Sequence, residues 1–293
     1  MKDPARLLAY FAVTILFGAL VAPVLFWAAQ SLARHGIFPG LAEFEFEAFF
    51  HRALMLGAIA FIWPFLHWLR IKKPRELGLE RNHRWGRDVG IGFLLSSVPV
   101  IGCEIFLVQR GLYSIRPGPS VVAILPLIPT AVVVPLIEEA LFRGLFLGVF
   151  LRGLPPWPAN LLSAFIFSIV HFLKGPDRTA TTVDWFSGFV SLSHSFDQFS
   201  EPLLVLGGLT TLFAIGIVLG QARLSTRSLW LPIGLHAGWI LGSEAFSKIA
   251  RREVVALPWL GKSLLVGLVP LSACLVSWAF LRMWLSYADA RNT

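Results

Sequence analysis

The sequence predicts an all-α, polytopic integral membrane protein with about eight transmembrane helices. Hydrophobic residues make up 56% of the 293 residues and charged residues only 14%, and the mean hydropathy is +0.71. Soluble globular proteins contain roughly 25% charged residues. About 20 consecutive apolar residues cross the hydrocarbon core as a helix, and the chain contains several runs of about this length. We therefore expect residues 1–293 to form a single membrane domain.

Eight apolar segments are candidates for these helices. They cover residues 7–29, 49–69, 89–108, 121–151, 159–173, 203–221, 229–246 and 263–287. The fourth segment is irregular because Pro126, Pro129 and Pro135 lie in its first half. Proline inside a helix removes a backbone donor and clashes with the preceding turn. We therefore predict that the helix of this segment begins close to Pro135.

The basic residues indicate an orientation in the lipid bilayer. The formal net charge is +8, but the basic residues collect between the apolar segments, as the positive-inside rule describes. The loop after the first segment is acidic, with Glu43, Glu45 and Glu47. The loop after the second segment contains Arg70, Lys72, Lys73, Arg75, Arg81, Arg84 and Arg87. This asymmetry predicts cytoplasmic termini and no nucleic-acid partner.

Three charged residues interrupt the fourth segment, in the stretch PLIEEALFRGLFLGVF that begins at Pro135. A charge at the centre of a bilayer costs roughly 3 kcal/mol on insertion scales, so it must face protein, water or another charge. Glu139 and Arg143 are four residues apart and can pair on one helix face. Glu138 is rotated away from that face and has no cation of its own. We expect Glu138 to act as a general base, with Glu139 and Arg143 as structural support.

Two of the seven histidines, His171 and His236, are further candidate site residues within apolar segments, whereas the other five fall in predicted loops or near helix ends. His171 ends the stretch FIFSIVH, with Phe167 one helical turn before it on the same face. His236 lies in LPIGLHAGWI. A single histidine in an apolar helix usually makes an interhelical hydrogen bond. Two histidines together with Glu138 would supply a base and two imidazoles at membrane depth.

These three elements resemble the CPBP family of intramembrane proteases, which includes the type II CAAX prenyl endopeptidases and related bacterial immunity proteins. EEALFR at 138–143, FSIVH at 167–171 and the later His236 follow the order of the family. The resemblance implies an eight-helix core and a catalytic region over residues 121–246. It also implies that Glu138 activates the attacking water, that His171 assists, and that His236 positions or stabilises the oxyanion.

One position departs from the family pattern. The family usually has an asparagine one turn after the last histidine, where this chain has Ile240. An asparagine amide can donate a hydrogen bond to an oxyanion, a contact typically worth about 3 kcal/mol. Ser243 lies two turns after His236 on about the same face and is the candidate replacement. The substitution leaves both weak activity and loss of activity open.

Several alternatives remain open at this level. Glu138, His171 and His236 could act without a metal, or they could bind zinc as three ligands with an open position. No other cofactor is indicated. The non-enzymatic alternatives are a membrane scaffold or immunity factor and a proton-coupled transporter. For a protease we expect a membrane-associated or lipidated peptide or protein as substrate, and the family and loop charges favour the bacterial inner membrane.

Overall fold

The chain folds into two compact units. The computed structural model describes residues 2–80, 83–118, 121–172, 182–261, 264 and 266–290. The first unit comprises residues 1–72 and 170–201, and the second comprises residues 73–169 and 202–293. The single-domain organisation expected from the sequence stays a prediction.

The first unit is a helical hairpin covered by a short helix. Its helices are α1 (Lys2–Arg34), α2 (Phe46–Trp68) and α8 (Ser187–His194), with 3₁₀ turns at Pro39–Glu43 and Asp197–Ser200. The hairpin is antiparallel, because the Tyr10 hydroxyl near the start of α1 donates to the carbonyl of Ala58 near the end of α2, at 2.7 Å. Gly188 of α8 lies directly against the backbone of Ala19.

The second unit contains the remaining elements. They are α3 (Pro74–Leu77), α4 (Trp85–Gln109), β1 (Tyr113–Ile115), a 3₁₀ turn (Val121–Ile124), α5 (Leu127–Glu139), a π-helical turn (Ala140–Phe146), α6 (Leu147–Phe150), α7 (Pro156–Phe172), α9 (Pro202–Thr226), α10 (Trp230–Ile249), β2 (Ala250–Arg252) and α11 (Leu268–Ala290). The last residues of α7 belong to the first unit. Strands β1 and β2 pair antiparallel, with Tyr113 opposite Arg252.

Helices α4 and α10 pack closely along a seam of glycines. Gly92 of α4 lies against the backbone of Leu231 and Leu235 of α10, whereas Gly238 of α10 lies against Phe93 and Ser96 of α4. The two helices therefore run parallel. Small residues let helix backbones approach, which is the usual way that helices associate in membranes. This seam sets the position of α10 relative to α4.

All eight predicted segments contain helix, and the all-α class is confirmed. Two segment boundaries fall outside the described residues, namely the end of the fifth segment at position 173 and the start of the eighth at position 263. Within the described part of the chain, six helical stretches are long and apolar enough to cross a membrane. Helices α7 and α10 are not among these six. Six candidate spans are thus established, while the number eight stays a prediction.

The prediction for the start of the fourth helix is wrong. Helix α5 begins at Leu127, and Pro135 lies inside it. Pro126 caps the helix and Pro129 lies in its first turn, where a backbone N–H has no partner within the helix and its loss costs little. Glu138 consequently lies near the C-terminal end of α5, followed by the π-helical turn.

Candidate active site

The charged motif lies where the helix changes its hydrogen-bonding pattern. Helix α5 ends at Glu139, and residues Ala140–Phe146 form a π-helical turn. Such turns are rare and are frequently found at functional sites. The hydroxyl of Ser163 on α7 donates to the carbonyl of Phe142 in this turn, at 2.9 Å. This contact ties the turn to the neighbouring helix.

Glu139 and Arg143 form the buried ion pair that their spacing predicts. Arg143 Nη1 lies 2.9 Å from Glu139 Oε1, and the two side chains are 1% and 0% exposed. Arg143 Nη2 also donates to the carbonyl of Gly216 on α9, at 3.2 Å. The guanidinium carbon lies 4.3 Å from the centre of the Phe167 ring, a cation–π contact. The pair therefore connects α5, α7 and α9.

His236 of α10 reaches both glutamates. Its Nδ1 lies 2.8 Å from Glu139 Oε1, and its Nε2 lies 3.8 Å from Glu138 Oε2. Because an ionised carboxylate only accepts hydrogen bonds, we assign the Nδ1 proton to the bond with Glu139. The Nε2 atom then faces Glu138. The His236 and Glu138 side chains are 7% and 24% exposed, so the outer end of this cluster is the more accessible one.

The contact between Glu139 and His236 was not predicted. The sequence pairs Glu139 only with Arg143 and expects His236 beside Glu138, whereas the imidazole bonds to Glu139 and also faces Glu138. Glu139 and His236 are 97 positions apart, so no local spacing indicates the contact. The Phe167 ring packs edge-to-face on His236 with centroids 6.0 Å apart, and its supporting role stays a prediction.

His171 is the third residue expected at the site. It lies in the last turn of α7, one turn after Phe167, and its side chain is half-buried. It belongs to the first unit, whereas Glu138 and His236 belong to the second. The structure thus brings Glu138, Glu139, Arg143, Phe167 and His236 together, and the place of His171 in the site stays a prediction.

The part of the chain that contains this cluster matches a known protein family. The model of the family described as "Rce1-like: Type II CAAX prenyl endopeptidase Rce1-like" matches residues 120–241. Residues 120–241 belong to the CPBP family. The match contains the whole EEALFR motif, Phe167, His171 and His236. No curated protein matches the chain. No solved structure matches it either.

Ile240 lies on α10 one turn after His236, where the resemblance leads one to expect an asparagine, and the candidate replacement Ser243 lies further along the same helix. Seven residues of α-helix separate His236 from Ser243, a rise of about 10 Å. The Ser243 hydroxyl donates to the carbonyl of Ile240 at 3.3 Å. Its side chain lines a separate pocket with Tyr113 and Arg116. An oxyanion role for Ser243 stays a prediction that requires its hydroxyl to leave this bond.

The alternative in which this site binds zinc depends on which side chains could be its ligands. Among the described residues there is no group of three His, Cys, Asp or Glu side chains arranged to bind a metal ion. Glu138 Oε2 and His236 Nε2, 3.8 Å apart, are chemically suitable as two ligands. The Nδ1 atom of His236 donates to a carboxylate, which is the usual arrangement behind a metal-binding histidine. Glu138 and His236 are therefore suitable for two of the three expected zinc-ligand positions.

Proposed function

We propose that this CPBP-family membrane protein is an intramembrane endopeptidase in which Glu138 activates a water molecule for attack on a peptide bond. The observation that carries the proposal is the position of His236 between Glu139 and Glu138, at 2.8 Å and 3.8 Å. This arrangement places a carboxylate and an oriented imidazole side by side at the accessible end of a buried cluster. A base and a proton donor close together are what peptide hydrolysis requires.

Glu138 is the group that takes the proton from water. It has the most exposed side chain of the cluster, at 24%, while its Oε2 atom beside His236 is buried. A carboxylate in a partly desolvated site is a suitable general base, and such catalysis typically contributes 10²–10⁴-fold to a rate. The proton taken from water then becomes available for the leaving amine.

His236 acts beside Glu138 through its Nε2 atom. The bond from Nδ1 to Glu139 fixes the ring orientation, and Arg143 fixes Glu139 in turn. When Nε2 is protonated, it can donate a hydrogen bond to the oxyanion of the tetrahedral intermediate. Because Ile240 supplies no donor, His236 carries a larger part of this role than it would beside an asparagine. Glu139 and Arg143 are positioning residues.

The family resemblance supplies the rest of the proposal. By that resemblance His171 assists Glu138, and the substrate is a membrane-associated protein carrying a prenyl group near the scissile bond. The family relation and the six candidate spans support a site that acts within the membrane. The bacterial inner membrane and the cytoplasmic position of both termini stay predictions.

The metal-dependent form of the same activity uses the same residues. Glu138 and His236 would be ligands, with His171 as the third. A bound zinc ion would supply Lewis-acid activation of water at neutral pH. In that form the bond from His236 to Glu139 holds the ligand orientation, and the role of Arg143 is unchanged.

The test is cleavage of a peptide library, with prenylated and unprenylated members, by the purified protein in liposomes. Glu138→Gln should reduce cleavage by about 10²–10⁴-fold without changing the thermal stability. The matched control is Glu244→Gln, which alters an exposed carboxylate on the same helix as His236. Repeating the wild-type assay with a chelator distinguishes the two forms, because only the metal-dependent form loses activity.

Two results would contradict the proposal. Full activity of Glu138→Gln, with an active control, removes Glu138 from the chemistry. Failure of the wild type to cleave any member, while its cellular function survives Glu138→Gln, assigns the protein to the scaffold or immunity class. Proton-coupled flux of a solute into the same liposomes would indicate a transporter.

A further inference from the structure

A polar pocket lies at the turn between α9 and α10, separate from the acid and imidazole cluster. Its volume is about 400 Å³. The lining side chains and backbone come from Arg75, Gly78, Glu80, Arg223, Thr226, Arg227 and Ser228. Three of these residues are arginines and one is a glutamate, so the pocket is predominantly positive.

Arg223 has a buried donor that the described part of the protein leaves unused. Its Nε atom is buried and has no hydrogen-bond partner among the residues that the structure describes. The guanidinium lies flat against Gly78, where a Cβ atom would be 2.8 Å from the guanidinium carbon. Gly78 also has a φ of +81°, which side chains rarely adopt. A glycine is therefore needed both for this turn and for the position of Arg223.

The single carboxylate does not neutralise the pocket. Arg75 Nε lies 3.3 Å from Glu80 Oε2, but both side chains are exposed, and an exposed ion pair contributes little. Arg227 is exposed as well. The three arginines thus leave the pocket with a net positive charge, and Arg223 Nε is an unused donor beside it. Arginine side chains in this arrangement are the usual ligands of phosphate groups.

The surrounding residues place the pocket at the level of a membrane interface. The Trp230 indole donates to the carbonyl of Glu80 at 3.0 Å, and its ring lies 5.5 Å from that of Trp85. Tryptophan is enriched where lipid headgroups meet the hydrocarbon core. The Thr226 hydroxyl bonds to the carbonyls of Ala222 and Ser228, which holds the turn itself.

We propose that this pocket binds a phosphate group, with Arg75, Arg223 and Arg227 as its ligands. The phosphate belongs either to a lipid headgroup at the interface or to a soluble phosphate, and the chemistry of recognition is the same. Arg223 Nε supplies a buried, charge-assisted donor, and the two exposed arginines supply the long-range attraction.

The pocket is joined to the elements of the candidate active site. The N–H of Leu229, just before α10, donates to the carbonyl of Gly78 at 2.9 Å. Gly144 of the π-helical turn lies close to the carbonyl of Leu77. The segment that forms one wall of the pocket therefore contacts the start of the His236 helix and the turn that carries Arg143. A bound phosphate should stabilise both.

The experiment measures binding in two separate arms. In the first arm, inorganic phosphate is titrated into the protein in an uncharged detergent and the thermal transition is followed. In the second arm, phosphatidylglycerol is added to the same detergent micelles, and an uncharged glycolipid that contains no phosphate is the reference. Stabilisation in the first arm alone indicates a soluble phosphate, whereas stabilisation in the second arm alone indicates a lipid headgroup.

The variants test the named ligands. Each of Arg223→Gln and the double variant Arg75→Gln/Arg227→Gln should weaken binding by about tenfold or more, because hydrogen bonds to charged groups contribute that much. Arg251→Gln is the matched control, since it removes an exposed arginine on β2 without touching the pocket, and it should bind as the wild type does.

The double variant keeps the proposal falsifiable if Arg223→Gln does not fold, because Arg75 and Arg227 lie on the surface. Equal stabilisation of the wild type and the double variant in the arm that responds would overturn the proposal. The absence of stabilisation of the wild type in both arms would overturn it too.

Discussion

Arg143 and Arg223 are both arginines of apolar helices in the second unit, and they differ in how the protein uses them. Arg143 lies in the ion pair with Glu139, donates to the carbonyl of Gly216 and packs on the Phe167 ring. Arg223 packs on Gly78, and its Nε atom has no partner within the described part of the chain. The guanidinium of Arg143 is thus satisfied by protein groups, whereas that of Arg223 is not fully satisfied.

The difference separates a structural role from a binding role. A buried charge without partners is costly, so a protein that keeps one usually provides a ligand or water for it. The Arg143 guanidinium has its partners within the chain, although Glu139 Oε2 has no hydrogen-bond partner in the described part of it. The outer members Glu138 and His236 carry the proposed chemistry. The Arg223 pocket is incomplete within the chain, and we infer a phosphate as its missing partner.

The largest expected effect on stability comes from replacing Arg143. Arg143→Met should lower the free energy of unfolding by about 3–5 kcal/mol, because Glu139 is left as a buried charge without its cation. Arg223→Met, the matched control, removes no carboxylate partner and should cost less than about 1 kcal/mol. Denaturation of both variants in mixed micelles measures the difference. Equal losses of unfolding free energy in the two variants would show that Arg143 and Arg223 do not differ in their structural role.

The next effect concerns the glycine seam that positions His236. A Cβ atom on Gly92 would meet the backbone of Leu231 and Leu235, whereas a Cβ atom on Gly90 would meet nothing. Gly92→Ala should therefore destabilise the protein by about 1–3 kcal/mol through overpacking. It should also reduce cleavage, because α10 carries His236.

Gly90→Ala is the control for this prediction. It lies two residues away on the same helix and should be neutral or stabilise the protein by up to about 1 kcal/mol, since alanine favours helix. Thermal unfolding and the cleavage assay of the two variants test the prediction. A neutral Gly92→Ala variant would show that the seam does not constrain α10.

The smallest effect is expected at the exposed ion pair of Arg251 and Glu253, which joins the same two residue types as the buried pair of Arg143 and Glu139. Arg251 Nε and Nη2 each lie 3.2 Å from an oxygen of Glu253. Hydrogen bonds from Arg251 and from the Ser114 hydroxyl lower the pKa of Glu253 below its ordinary value of 4.5. A lowered pKa means that the pair contributes stability above the ordinary value and loses it as the pH falls through the folded-state pKa.

Glu253→Gln should thus lower the melting temperature slightly at neutral pH, and the difference from the wild type should vanish as the pH falls below 4.5 and through the folded-state pKa. High salt should reduce it at neutral pH as well. A difference that persists at low pH would mean that Glu253 acts through packing and not through its charge.

Local patterns in the sequence are sufficient for much of this protein. Apolar runs predict where helices lie, because the hydrocarbon core requires about 20 apolar residues per span. The spacing of Glu139 and Arg143 predicts their ion pair, because residues four apart on a helix are neighbours. The motif also indicates the family that matches residues 120–241.

Other features depend on contacts between distant segments. Helix α5 continues through Pro135, although the prolines predicted a later start. The glycines that matter for α10 are those facing α4, which is decided by helix packing and not by spacing alone. The arginines of the proposed phosphate pocket come from α3, from α9 and from the turn after α9. Of the three, only Arg75 belongs to the basic stretch that the sequence predicts to be an orientation signal.

The sequence by itself determined the helical class, the charged motif and the pairing of Glu139 with Arg143, because each of these depends on neighbours along the chain. Only the tertiary structure decided that His236 bonds to Glu139 and faces Glu138, and that Arg223 keeps an unused donor. The physical reason is that a buried polar group takes its partners from whichever segments pack around it, and packing is set by the shape of the whole unit.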